Sequence, residues 1–197
     1  MKKGDYISAI LRSTQTVFSV RDIMLIWGET SSGAARVRIN YYAKNGYLYR
    51  IRRGVYAKDR NYDKNELATK ICTPSYVSFE TVLAKSGVIF QHYDTIFIAS
   101  YATREITADG QTYSYKRIKD AILTNNAGVE HGETYAISSP ERAFLDVVYL
   151  NKTYHFDNLS PLNWDKVFEI LPIYGGNKRM LKAVKSYSET ERHEHNL

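Results

Sequence analysis

Ser32, Arg36, Asn40 and Lys44 recur at intervals of four residues, the spacing that gathers side chains on one face of a helix. Arg38 stands at the border of that face, and Arg50, Arg52 and Arg53 follow around Gly54. Hydroxyl, amide, guanidinium and ammonium groups all donate hydrogen bonds. Two acceptors fit such a set. One is the edge of a base pair in a major groove, which Arg and Asn can grip with paired hydrogen bonds; the other is the phosphate oxygen, which Arg and Lys neutralise. A solvated basic helix with no ligand is the competing reading. The elements that would hold these residues bear on the choice.

A first helix is expected from Asp5 to about Leu11, with Ile7, Ile10 and Leu11 apolar. Thr14–Val17 reads as a turn or short strand. Ser19 and Asp22 form a capping box for a second helix through Trp27, in which Val20, Ile23, Met24 and Trp27 share a face. The stretch from Gly28 to Gly33 interrupts the pattern, and Ser31 or Ser32 can cap a third helix ending near Asn45. Ala35, Ile39 and Tyr42 lie on the inward side of that helix. A hairpin over Tyr47–Lys58 comes next, with Arg52 and Arg53 at its tip and Gly54 suited to a positive φ. Helix, break, basic helix and basic hairpin together outline a winged helix-turn-helix, a duplex-DNA reader whose wing tip lies on backbone or minor groove.

Charge follows the same division. Residues 1–60 hold 12 Lys/Arg against 4 Asp/Glu, whereas residues 61–197 hold 15 against 17, so the net charge of +6 resides in the first third. A basic module on a near-neutral body matches phosphate binding. The expected domains are 1–60, the winged module, and 61–197, an α/β body. No run approaches the length of a membrane span and no signal-peptide core follows Met1, so no membrane partner and a cytoplasmic location are expected. The single cysteine, Cys72, excludes an intramolecular disulfide and reads as a buried apolar residue.

In the body, a helix over Asn65–Cys72 and a break at Thr73-Pro74 precede a helix over Phe79–Ser86, for which Ser78 is the expected cap and Gly87 the stop. Strands are expected at Thr95–Ser100, at Arg104–Thr107 and Gln111–Tyr115 around Asp109-Gly110, at Arg117–Leu123 and at Thr134–Ile137. Ser139-Pro140-Glu141 opens a helix carrying Ala143, Phe144, Val147 and Val148. Helices near Trp164–Leu171 and Asn177–Tyr187 precede a Glu/His tail. The fold class is therefore α+β: the winged module, then a mixed α/β domain with a small, largely antiparallel sheet flanked by helices.

Other chemistry finds less support. His92, His131, His155, His193 and His195 show no metal-type i, i+4 pair on a convincing helix, so neither metal nor cofactor is expected. Gly175-Gly176-Asn177-Lys178-Arg179 lacks phosphate-loop spacing and reads as a helix-opening loop. Glu105, Asp109 and Asp120 near Lys116 and Lys119 could be drawn into a metal-dependent nuclease site, the least favoured alternative. Asp146 is better read as a partner for Arg142 at i−4 than as a base. Two further basic groups, Lys116, Arg117 and Lys119, and Lys178, Arg179, Lys182 and Lys185, are either solvated charge or a second nucleic-acid surface.

Gly46–Tyr56 (GYLYRIRRGVY) resembles the wing of the AbiEi antitoxins. Tyr76–Leu83 (YVSFETVL) with Gly87 is similar to the helix that opens their second domain, and Ser139–Asp146 (SPERAFLD) to a third block of that family. The resemblance implies an antitoxin and autorepressor of a bacterial abortive-infection, type IV toxin–antitoxin operon. Its winged helix would bind inverted repeats in the operon's own promoter. Its second domain would antagonise a nucleotidyltransferase-like toxin without a stable complex and add to DNA binding. The resemblance implies no catalysis. The alternative from the residues is a regulator of unrelated genes whose C-terminal domain is a protein- or RNA-interaction module.

Overall fold

The computed structural model describes residues 5–194. Its N-terminal part contains α1 (Asp5–Leu11), β1 (Val17–Ser19), α2 (Val20–Trp27), α3 (Ser32–Lys44), β2 (Tyr49–Arg52) and β3 (Val55–Ala57). Local chemistry sets these boundaries. The Ser19 hydroxyl accepts from the Asp22 N–H while the Asp22 carboxylate accepts from the Ser19 N–H, a closed capping box. Gly28 ends α2 in the left-handed conformation. Ser31, rather than Ser32, caps α3 by accepting from the Ala34 N–H. β3 is the central strand of a three-stranded antiparallel sheet between β1 and β2. Ile10, Phe18, Ile23, Trp27, Ala35, Ile39, Tyr42, Leu48 and Tyr56 form one core beneath it.

The body contains α4 (Lys64–Ile71), β4 (Ser75–Val77), α5 (Glu80–Lys85), β5 (Ile96–Ser100), β6 (Arg104–Ala108), β7 (Gln111–Arg117), α6 (Asp120–Leu123), β8 (Val129–His131) and β9 (Ala136–Ser138). The helices α7 (Pro140–Leu150), α8 (Trp164–Ile170) and α9 (Lys178–Glu194) complete it, with a 3₁₀ turn at Leu171–Tyr174. Six strands run in the order β6-β7-β5-β4-β9-β8. Three neighbouring pairs are antiparallel; β5–β7 and β4–β9 are parallel. The buried helix α7 packs against α5, α8 and α9, and a second core fills the space between helices and sheet.

Several expectations need correction. Ser78 does not cap α5: Phe79 occupies that position with φ +55 and no side-chain cap bond. The Ser78 hydroxyl donates instead to Asp146 Oδ2 at 2.9 Å. Arg117–Leu123 is not a strand. β7 ends at Arg117, and Ile118 and Ile122, one helical turn apart, are both buried as the chain enters α6. α9 runs on past Tyr187 to Glu194, and His195 lies outside the described residues.

Beneath α7 lies a buried polar network. Arg142 Nε donates to Asp146 Oδ1 at 3.3 Å, with both side chains fully buried. Asp146 also accepts from Tyr174 (2.7 Å), Tyr76 (3.0 Å) and Ser78. Arg142 reaches further, to Tyr76 Oη and to the carbonyls of Ile122, Asn125 and Ala127. Burial pushes the Asp146 carboxyl up, and the Arg142 charge and the three hydroxyls oppose that shift. The Arg142–Asp146 pairing expected from the sequence is therefore present. Its role is to tie the loop after α6 and strand β4 to α7.

Candidate nucleic-acid interface

α3 turns Ala35, Ile39 and Tyr42 into the core and leaves Ser32, Arg36, Asn40 and Lys44 exposed. The hairpin stands beside it. Between the two elements opens a cleft of about 420 Å³ lined by Arg36, Asn40, Arg50, Arg53, Gly54, Val20 and Tyr56. Residues up to 36 positions apart in the chain (20 to 56) thus converge on one concave surface. Its three guanidinium groups and one amide offer only donors apart from the amide oxygen. Such a cleft favours anionic, acceptor-rich ligands.

A β-bulge decides which wing arginines take part. Arg50 pairs with Tyr56 and Arg52 with Val55, so Ile51 is an extra residue that breaks the alternation of β2. Ile51 packs toward the body core. Arg50 and Arg53 reach the cleft, and Gly54 makes the turn with φ +80. Arg52 is exposed but lies close enough to the body for its charge to act on Cys72 and Tyr115. Burial pushes the Cys72 thiol up, with Arg104 and Arg52 opposing it, and the residue is buried, as its apolar reading implied.

Arg38 is placed differently. Its Nη1 lies 3.2 Å from Glu29 Oε2, and its guanidinium stacks 4.0 Å above the Tyr6 ring and 5.5 Å from that of Trp27. Those contacts fasten α1, the α2–α3 turn and α3 to one another and hold the guanidinium away from the cleft. Sequence reading overlooked Val20 and Tyr56, which form part of the cleft wall. Tyr56 could have been found from hairpin register, since it pairs with Arg50; Val20 carries no comparable signal.

The second basic set is divided in the same way. Lys116 Nζ contacts both Glu80 oxygens at 2.9 and 3.0 Å and sits over the Phe79 and Phe97 rings. Arg179 donates to the carbonyls of Val148, Tyr149 and Asn151 at 2.7–2.8 Å, closing the C-terminal end of α7. Arg117 and Lys119 at the end of β7, and Lys178, Lys182 and Lys185 along α9, remain exposed. The Gly175–Arg179 segment is a helix-opening loop in which Asn177 Oδ1 accepts from the Arg179 and Met180 N–H groups.

The nuclease-like acids do not converge. Asp109, at the β6–β7 turn, accepts from Tyr49 (2.9 Å) and Tyr62 (3.1 Å). Among the described residues no group of three or more His, Cys, Asp or Glu side chains is arranged to hold a metal. Among the same residues no helix is long and apolar enough to cross a membrane.

The order α1–α2–α3 with a wing, and a donor-lined cleft between α3 and the wing, define a winged helix-turn-helix fold. Residues 5–57, from α1 to the end of β3, match the family model described as a transcriptional regulator, AbiEi antitoxin. The match covers the winged module alone, where the chain is similar to these regulators, and the resemblance carried by its wing sequence is supported there. The blocks at Tyr76–Leu83 and Ser139–Asp146 lie beyond the matched residues. No curated protein matches the chain.

Proposed function

We propose that this protein is the antitoxin and autorepressor of a bacterial abortive-infection operon, acting in the cytoplasm against phage. The observation that carries the DNA-binding half is the cleft where Arg36 and Asn40 of α3 meet Arg50 and Arg53 of the wing. In this reading residues 1–60 bind inverted repeats in the operon's own promoter. α3 enters the major groove and the wing grips backbone or minor groove. Residues 61–197 antagonise a nucleotidyltransferase-like toxin without a stable complex, as in a type IV system. Arg117, Lys119, Lys178, Lys182 and Lys185 are the part of the body suited to a second nucleic-acid contact. The protein itself performs no catalysis and needs no cofactor.

Footprinting on the region upstream of the gene tests the reading. Arg36→Ala should cost about 1–3 kcal/mol on the repeats and little on unrelated duplex. Arg53→Ala should weaken binding to every duplex and flatten its salt dependence by about one phosphate contact. Arg38→Ala should chiefly lower thermal stability. Unprotected repeats with wild-type protein would refute autorepression. Continued arrest of toxin-expressing cells that also make this chain would refute the antitoxin role.

A further inference from the structure

The outward face of α3 carries two residues without polar side chains, Gly33 and Val37, between its donors. At about 100° per residue, Gly33, Val37 and Lys44 lie opposite the buried Ala35–Ile39–Tyr42 stripe, with Arg36 and Asn40 on the flank toward the wing. Val37 is 73 % exposed. Gly33, one turn earlier, is helical and has no positive φ. A Cβ added there would meet only Ser31 Oγ, at 3.9 Å. Neither backbone conformation nor internal packing asks for glycine, which weakens a helix relative to alanine. What glycine does offer is close approach of another molecule to the helix backbone.

A bare backbone followed by a pair of branched methyls makes a low apolar strip beside the cleft donors. In a major groove, the apolar projection that an unmodified base pair offers is the thymine C5-methyl. We propose that Val37 is a specificity-determining residue that packs on a thymine methyl beside the base contacted by Arg36 or Asn40, with Gly33 allowing α3 to seat deeply enough. The assignment rests on the DNA-reading function proposed above and adds a base preference to it. Val37 would give sequence information through shape and desolvation, where the arginines give it through hydrogen bonds.

The test uses the full chain and a pool of DNA duplexes with a randomised core. The duplex selected by wild-type protein is remade with deoxyuridine in place of each thymidine in turn, which deletes one methyl and keeps every hydrogen-bonding group. At one position per half-site, wild-type affinity should fall about fourfold, the effect of one buried methyl-sized group. Val37→Ala, at an exposed site and with a good helix former, should bind the thymidine and deoxyuridine duplexes equally. Gly33→Ala should keep or raise the thermal midpoint while binding the selected duplex more weakly. If no duplex is enriched, DNA reading fails and this assignment fails with it. If a duplex is enriched but wild type and Val37→Ala respond alike to every deoxyuridine, the Val37 assignment alone is overturned.

Discussion

At the scale of single residues, the arginines divide by what surrounds them. Arg36, Arg50 and Arg53 line an open cleft. Arg38, Arg142 and Arg179 are committed to carboxylate, ring and carbonyl partners inside the protein. The planar guanidinium serves both purposes because its fork of donors can bridge several acceptors at once. The internal role is most exposed to perturbation at Asp146, which balances the buried Arg142 charge. Asp146→Asn keeps the shape but leaves that charge uncompensated and turns an amide toward groups that donate. A loss of about 3–5 kcal/mol in denaturant unfolding is expected; a change below about 1 kcal/mol would show that the network tolerates a neutral partner.

At the scale of elements, turns and caps carry most of the local specification, and one glycine shows how far that can depend on packing. Gly128 follows the loop held by Arg142 and has φ +69. A Cβ there would lie 2.7 Å from Ile170 Cδ1 and 2.8 Å from Arg142 Cβ. Gly46 has a similar φ of +73 but open space around it. Gly46→Ala should therefore cost only the left-handed backbone term of about 1–2 kcal/mol. Gly128→Ala should add about 1–3 kcal/mol of overpacking. Thermal melts of the two variants compare them directly, and equal losses would contradict the packing at Gly128. The capping box at Ser19, the Ser139-Pro140 helix start and the Asp109-Gly110 hairpin were legible in the sequence because each closes within a few residues. The three-residue strands β4 and β8 were not: β4 exists through hydrogen bonds to strands far along the chain, and β8 is too short to show an alternation of its own.

At the scale of the whole molecule, the winged module and the body are joined by more than the intervening chain. β1 sends Val17 into the body core and Phe18 into the module core. The buried Glu66 of α4 accepts from the Thr16 N–H and hydroxyl at 2.8 and 2.6 Å, and Asp109 holds Tyr49 and Tyr62. Lys70 of α4 pairs at 2.9 Å with Asp22, the capping-box acid of α2. Burial pushes the Asp22 carboxyl up, but the Ser19 N–H, the hydrogen bond from Lys70 and the Ser19 hydroxyl together hold it below its usual value. Because the folded pKa is the lower one, the stabilisation is complete above the ordinary aspartate value of about 4 and fades as pH falls through the folded-state pKa. Melting temperature should decline through that acid range, and Asp22→Asn should melt lower at neutral pH with a shallower decline. Parallel pH profiles for the two proteins would exclude Asp22 as a contributor.

From the sequence alone came the α+β class, the winged outline, the basic first third and the donor residues of α3 and the hairpin, because periodicity, caps and charge are properties of neighbouring residues. Tertiary structure decided which of those donors share a surface. Arg36 and Arg53 meet through the fold of the hairpin against α3, and the Ile51 bulge separates Arg52 from them. Arg38, Lys116 and Arg179 were indistinguishable from surface charge until Glu29, Glu80 and the end of α7 were brought beside them. A formal charge is written in the chain. Whether it faces a ligand or a neighbour depends on contacts between residues far apart in that chain, which only folding creates.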